Sequence, residues 1–521
     1  MLFTDIFHLG GSFYTVLAAS SALAVIYYVA IHHTHKARLP PGPKGWPIIG
    51  NTLQMPKKNP WLKFSEWKRI YGDIIHVDVS GRPIIIINSL KIAQELLDKR
   101  STIYSDRPRL EMATLVGYDR NFSMAPYGQE WRQQRKYVAQ ALSAMNCPRY
   151  RPIQEKGAMR LVQNILDDSS RIGSQIRFQI GAIVLRTAYG YSVASKDDPV
   201  LRTVSQMMKE FGIATTPGMF LVDFIPALRY IPTWLPGAGF KRTADKWRAN
   251  YESASLGTAQ WSKQHLETGS GKALTPNIYE NIHNSSGSGT INEKDDVQIA
   301  HALTGVLGGG LDTNISTTLT FFMAMILNPS VQKKAQAELA AVVGNERLPR
   351  ISDMHNLPYI KSIMAEVYRW GPAVPLAVPH APNQDDEYNG LFIPKGSIVL
   401  ANSWHMLHDP EWYPNPMEFT PERYNGQDDE MEKVKNVAFG FGRRFCPGFH
   451  FAEGTFFAIA SITLATCDIL PGLDENGVEV LPQYLFTSGT ISFPEAFPLR
   501  VRARSPQASA LLAESLSRSA E

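Results

Sequence analysis

The ten residues Phe439-Gly440-Phe441-Gly442-Arg443-Arg444-Phe445-Cys446-Pro447-Gly448 constrain this chain more than any other stretch. They hold one of only three cysteines, crowd it with aromatic rings and glycines, and set two arginines before it and a Pro-Gly pair after it. The residues beyond them, Phe449 to Leu464, read as an apolar helix, and Pro suits a first helical position because its missing N–H has no partner there anyway. A cysteine just ahead of a helix N-terminus faces unpaired N–H groups and the positive end of the helix dipole. Both favour the thiolate. A lone cysteine elsewhere in a globular chain reads as an ordinary buried side chain; this one is placed to ligate.

Other segments carry chemistry of their own. His301 to Ile326 reads as a long apolar helix containing Gly308-Gly309-Gly310-Leu311-Asp312-Thr313. Each mid-helix Gly costs about 1 kcal/mol against Ala. The run therefore predicts a loosened turn, tolerable where backbone must approach a ligand closely. Thr313 beside Asp312 pairs an alcohol with an acid, a set able to relay protons; a hydrogen bond from Thr313 to a carbonyl one turn back is the bland alternative. Trp131 and Arg135 share a helical face at i, i+4, and an indole N–H with a guanidinium suits a carboxylate. Glu366 and Arg369, on a helix beginning near Pro358, face the same way at i, i+3. Buried, such a pair carries a desolvation cost of several kcal/mol per ion.

The spacing Phe-x-x-Gly-x-Arg-x-Cys-x-Gly, met by Phe439, Gly442, Arg444, Cys446 and Gly448, resembles the haem-binding signature of the cytochrome P450 family. The resemblance covers nearly the whole chain in the family's motif order. It implies a mainly α fold with small β-sheets, haem b lying between a long distal helix and the proximal cysteine loop. Cys446 is then the axial ligand of the iron, with Phe439, Gly440, Arg444 and Gly448 around the cofactor. Trp131, Arg135 and His380 are implied at its propionates, His380 standing where many members carry Arg. Asp312 and Thr313 are implied as the catalytic relay, with Asn314 in place of a frequent second hydroxyl. Glu366, Arg369 and Arg423 are implied as a structural triad, followed by Tyr424 where Phe is usual.

The same resemblance implies a haem-thiolate monooxygenase drawing electrons from NADPH through a membrane-bound reductase, with cytochrome b5 as a further donor. Arg132, Lys136, Lys433, Lys435 and Arg443 offer that partner a basic face. The rival readings are a haem-thiolate isomerase or dehydratase without a reductase, and a haem carrier without turnover. The motif wording is closest in style to microsomal fungal members of secondary metabolism. The expected pocket is lined by Met112, Leu115, Phe122, Leu307, Gly309, Val374, Leu376 and Thr487, the last in a hairpin over Leu485 to Phe493 whose tip reaches inward. That mostly apolar set predicts a lipophilic substrate such as a terpenoid, with polyketides, indoles and fatty acids open.

Length alone, 521 residues, suggests about three domains. Motifs that all need one cofactor argue instead for a single catalytic domain over 51–504. Ahead of it, Phe13 to Ile31 is an uncharged run of nineteen residues, long enough as a helix, about 28 Å, to cross a bilayer. Residues 1–38 thus read as an anchor and 39–50 as a stiff Pro-rich hinge. The basic residues after the run put the body in the cytosol, and the resemblance to microsomal members implies the endoplasmic reticulum membrane. The apolar, Pro-rich stretch around 217–226 reads as a core turn or as a lid dipping into that membrane, and 107–128 as a long irregular loop over the substrate. The tail 505–521 reads as disordered. A net charge of +4 gives no argument for nucleic acid. Three scattered cysteines exclude a disulfide framework and fit a reducing compartment.

Overall fold

Apolar residues recur at helical spacing along most of the chain, and β-branched runs interrupt that spacing only in short pieces. The computed structural model describes residues 38–216, 219–267, 276–285 and 292–518. Strands Ile74–Val79 and Arg82–Ile87 pair antiparallel around Ser80 and Gly81, whose φ angles are 52° and 85°. That is the backbone a tight hairpin with right-handed strand twist requires. Ile398–Ala401 adds to the second strand in parallel. Helix Pro60–Tyr71 covers one face of this sheet with Phe64 and Trp67, against Ile75, Val77, Ile84 and Ile86. A two-stranded ribbon (Asp386–Tyr388 with Leu391–Ile393) and a sheet centred on Cys467–Leu473 complete the β-structure.

The helix Glu293–Leu327 runs through the middle of the molecule, capped by Asn292, whose side chain accepts the N–H of Asp295. It packs against helices Ile172–Tyr189, Gln129–Ala141 and Phe449–Thr466. The turn expected to loosen at Gly308–Gly310 does not; the helix is continuous. Side-chain space accounts for two of the three glycines. A Cβ at Gly308 would stand 3.0 Å from the Met208 sulfur, and one at Gly310 3.3 Å from Val184. These positions let neighbouring helices close in. At Gly309 no atom lies within 4 Å of where a Cβ would be. A large apolar core spreads from Ile74 to Leu512, and a smaller cluster lies between helix Pro60–Tyr71 and the three-stranded sheet.

Further expectations need correction. The tail is not disordered: Pro506–Arg518 is a helix, begun by a Pro and filled with Ala and Leu, which are strong helix formers. It packs on helix Arg151–Asp167 with Leu512 fully buried. Residues 107–128 are not irregular throughout, since Glu111–Val116 is helical and Tyr118–Arg120 forms a further turn. The helix after the cysteine starts at Phe449 with Gly448 as its cap, so Pro447 lies outside it. The apolar run at 13–31 and Pro217-Gly218 lie outside the described residues. Among the described residues no helix is long and apolar enough to cross a membrane. The proposed hinge and the residue after it run along the hairpin, where the His76 N–H donates to Pro41 O at 3.0 Å and the Asn51 N–H to Asp78 O at 2.5 Å.

Burial leaves three histidines neutral in the folded core, and a fourth, His380, pushed down to about 3. His301 and His405 are each pushed down to about 4 and His408 to about 3, in every case by burial first. A histidine depressed in this way stabilises the fold above its unfolded pKa near 6.5 and loses that contribution as pH falls toward the folded value. The unfolding free energy, measured by urea denaturation at pH 7 and pH 5, should therefore fall by about 1.8 kcal/mol per ring, roughly 7 kcal/mol for the four. A fall below about 1 kcal/mol would mean that these rings are already protonated in the native state.

Candidate active site

Between the distal helix Glu293–Leu327 and the segment 437–452 lies a cavity of about 250 Å³. The helix lines it with Gly305, Val306, Gly309, Gly310, Thr313, Asn314 and Thr317; the opposite wall holds Phe439, Gly440, Cys446, Pro447, Gly448 and Phe451. Gly309, with open space in place of a side chain, lets backbone approach whatever occupies the centre.

Cys446 is fixed by its backbone, whose N–H donates to Phe439 O at 2.8 Å. Its sulfur opens on the cavity and accepts the N–H of Gly448. Burial nevertheless pushes the thiol up, with Gly448 and the charge of Arg135 pulling the other way. The helix terminus alone therefore does not make the thiolate. A bound metal cation does so directly, because a coordinating thiol is deprotonated outright. The Phe439 ring stands edge-on to Tyr368 and Phe449, with centroids 5.1 Å and 4.9 Å away. Gly440 turns the chain there at φ 87°.

One flank of the cavity is strongly cationic. Arg107, Arg135 and Arg444 all reach it, with Trp131 and His380. Arg444 is braced rather than free: its guanidinium donates to the carbonyls of Ser105, Phe122 and Ala125 at 2.7–2.9 Å and lies 4.6 Å over the Trp131 ring. Burial pushes it down to about 9. Arg135 donates to Phe445 O and so also holds the cysteine loop. Arg107 donates to Ser123, Val378 and Pro379 carbonyls at 2.7–2.9 Å and is partly buried, its pKa depressed by burial and then by Arg444 and Arg135. His380 departs from the expected basic contact. Its Nδ1–H donates to Tyr104 O at 2.8 Å, and burial beside Arg107 pushes it down to about 3, so the ring is neutral with Nε2 as an acceptor. Asp106 is the carboxylate whose charge opposes those of Arg107 and Arg444. The Trp131 N–H is buried without a partner among the described residues. An orphaned donor beside surplus guanidinium charge fits the two acid groups of haem, and Cys446 on the facing wall fits its iron. Haem held there by a cysteine thiolate supplies O–O bond cleavage.

The relay residues separate. Thr313 reaches the cavity and donates its hydroxyl proton to Gly309 O at 2.6 Å, leaving its lone pairs to accept from water. Asp312 is not on the cavity wall. Its Oδ1 accepts from Arg177 Nη1 at 3.0 Å, and burial raises its pKa while Arg177 lowers it. Asp312 thus links the partly exposed Arg177 to the helix turn behind Thr313.

The triad closes as expected and is larger than expected. Arg369 donates to both Glu366 oxygens at 2.8 and 2.7 Å, and neither side chain is exposed. Glu366 also accepts from Arg423 Nε at 3.1 Å, the Thr420 N–H at 2.9 Å and Tyr424 OH at 2.8 Å. Tyr424, a departure from the family pattern, thus supplies a hydrogen bond that Phe would lack.

Of the expected pocket residues, Phe122, Gly309 and Val374 line the cavity and the others do not. Met112 and Leu307 are buried in the core away from it, and Leu115 packs against the core while its carbonyl accepts from Arg248. Leu376 packs under the three-stranded sheet. Thr487 closes its own hairpin with Phe493 in both directions, and the tip residue Ser488 bonds Asn59 instead of reaching the cavity. Arg107 and Thr317 were missed. Nothing periodic marks Arg107 in Ser105-Asp106-Arg107-Pro108, although an Arg beside an acid and ahead of a Pro in an apolar region was a signal.

The family model "Cytochrome P450" matches residues 40–488. The chain is 49% identical over 500 residues to "Cytochrome P450 monooxygenase 105" of Postia placenta, covering 96% of this chain and 95% of that one. It is 38% identical over 505 residues to "Cytochrome P450 monooxygenase claR" of Ampulloclitocybe clavipes, covering 96% and 92%. A zebra fish cytochrome P450 structure determined with abiraterone superposes with a TM-score of 0.68 at 22% identity, over 86% of this chain and all of that one, which shows the shared fold. This chain belongs to the cytochrome P450 family and is an enzyme of its monooxygenase class.

Two outcomes are expected from this geometry. Tyr424→Phe removes one hydrogen bond to a charged group and should lower the unfolding free energy by about 1.5–3 kcal/mol, whereas Glu366→Ala strands Arg369 and should cost about 3–5 kcal/mol with loss of haem incorporation. Equal effects in denaturant titrations would refute the division. Asp312→Asn should slow turnover about a hundredfold while the haem spectrum stays unchanged; unaltered turnover would remove Asp312 from proton delivery.

Proposed function

We propose that this protein inserts one oxygen atom from O2 into a lipophilic small molecule of the terpenoid kind, in fungal secondary metabolism. The observation that carries the reading is a cavity with a cysteine sulfur on one wall and, facing it, a helix stripped of side chain at Gly309. The remaining distal lining, including Phe122, Val184, Val306, Ala373 and Val374, is mostly apolar and favours hydrocarbon ligands. The curated fungal relatives carry monooxygenase names, which supports the reaction class.

We also propose a seat on the endoplasmic reticulum membrane, with the catalytic body on the cytosolic side. Trp46, Ile48 and Leu53 beside the hairpin, Leu221 in the stretch 217–226, and Tyr230 and Trp234 just after it are all largely exposed. Arg82 draws the two segments together by donating to Asp223 O at 2.7 Å. Large apolar side chains gathered at one end suit a bilayer surface, and Trp and Tyr suit its interface. Electrons come from NADPH through a membrane-bound reductase, with cytochrome b5 as a second donor. Arg132 and Arg443 flank the Tyr127 ring at 5.6 Å and give that partner a basic contact.

The test is made on protein reconstituted with reductase in vesicles. The reduced protein should give a thiolate-type carbon monoxide difference spectrum and NADPH-dependent oxygen uptake, and Cys446→Ala should bring both to background. A histidine-type spectrum unaffected by Cys446→Ala would sink the assignment. Product formation without NADPH consumption would favour an isomerase instead.

A further inference from the structure

The distal helix spends most of its polar side chains on backbone carbonyls. Thr313 donates to Gly309 O at 2.6 Å, Ser316 to Ser492 O at 2.5 Å and Thr320 to Ser316 O at 2.9 Å. Thr317 breaks the habit. It is 8% exposed, stands on the cavity wall and has no hydrogen-bond partner among the described residues. Asn314, 5% exposed and on the same wall, donates from its Nδ2 to Gly310 O at 2.7 Å, which leaves its carbonyl oxygen without a donor. The two are i, i+3 and therefore neighbours on one helical face. Both residues line the cavity, where a bound polar group can meet their uncommitted oxygens.

The pair has a definite place. Ser316 bonds Ser492 O, and the Ser492 N–H donates to Ala373 O at 2.9 Å, so this end of the helix is tied to the segment that carries Val374. At the far end, Gly305 lies against the Phe122 ring, where a Cβ would come within 2.4 Å. Asn314 and Thr317 thus stand toward the 373–374 wall, away from the Phe122 end of the helix.

We infer that Asn314 and Thr317 form an alcohol-recognising subsite, so that the substrate is an apolar skeleton already carrying a hydroxyl group. An alcohol satisfies both residues at once, donating to Asn314 Oδ1 and accepting from Thr317 Oγ1; a hydrocarbon satisfies neither. The inference rests on the reading of this cavity as a chamber for a lipophilic substrate. In a reaction sequence, a hydroxylation, or a cyclisation ended by water, must come first and supply the alcohol. The group bound by this pair sets which carbon of the skeleton faces the thiolate side. Asn314 and Thr317 are therefore specificity-determining residues.

Matched ligand pairs test this by equilibrium dialysis and by the haem spin-state shift of the purified holoprotein. Farnesene with farnesol, cedrene with cedrol, and cholestane with cholestanol are the probes. At least one alcohol should bind about tenfold or more tightly than its parent hydrocarbon. Thr317→Val and Asn314→Leu should each bring that ratio to within about twofold, with the hydrocarbon affinity and the carbon monoxide spectrum unchanged. Equal binding within every pair, or a preference that survives both variants, overturns the subsite while leaving the lipophilic reading in place. Altered NADPH consumption with the preference intact also overturns it, and assigns the pair to proton delivery. Failure of every alcohol and hydrocarbon to bind overturns the lipophilic reading and the subsite together.

Discussion

The buried pair of Glu366 and Arg369 is the interaction on which the rest of the site depends. Two charges with no solvent exposure are unfavourable unless every oxygen and N–H is used. Here they are. Beyond its bonds to Glu366, Arg369 donates to the carbonyls of Leu407, Pro416 and Glu418 at 2.8–3.0 Å, and Glu366 gathers Arg423, Thr420 and Tyr424. A stretch from 407 to 424 with little regular structure is thereby held as firmly as a sheet. The same helix, Pro358–Trp370, packs on helix Asp428–Ala438 and turns Tyr368 onto the Phe439 ring. Phe439 O accepts the N–H of Cys446. The position of the sulfur is therefore set, two steps removed, by an ion pair that never meets the cofactor.

The opposite constraint acts on the cationic flank. Glu366 and Arg369 answer each other; Arg107, Arg135 and Arg444 stand close enough to depress one another and have Asp106 set against them. Their guanidiniums are spread over carbonyls, which orients them and leaves the charge in place. The surplus is relieved only by an anion in the cavity, and the unpartnered Trp131 N–H faces the same need. Anything that binds the folded state alone stabilises it by mass action, so cofactor loading and folding are coupled through this flank.

Much of this is legible in the chain's spacing. It carries Cys446, Thr313, Trp131, Arg135, Glu366 and Arg369, because each belongs to a pattern in which separation along the chain defines a shared face or a turn. What spacing does not encode is direction relative to a cavity. Leu307 and Gly309 lie two residues apart on one helix, yet one enters the core and the other opens the site. Met112, Leu376 and Thr487 are apolar or small residues in plausible segments, and tertiary packing sends each elsewhere. Arg107 is hidden for the converse reason: its role is set by carbonyls 16 and 271 or more residues away, at Ser123, Val378 and Pro379. The terminal helix is misread from composition, though its Ala and Leu content favours a helix once a core surface is available for Leu512.

The glycine run teaches the same lesson at closer range. Three glycines promise a break in the helix, and intrinsic propensity alone would support that. The helix persists because the absent side chains are replaced by neighbours: Met208 and Val184 fill the space at Gly308 and Gly310, restoring by packing what propensity loses. Only Gly309 stays open. The fault lies in one face of the helix and not in its backbone, and that face is where Thr313, Asn314 and Thr317 come next at helical spacing. Backbone continuity then matters for chemistry. An unbroken helix keeps the carbonyls of Gly309 and Gly310 in fixed positions to accept Thr313 and Asn314. That leaves the Thr317 hydroxyl and the Asn314 oxygen as the uncommitted polar groups on this face of the distal helix.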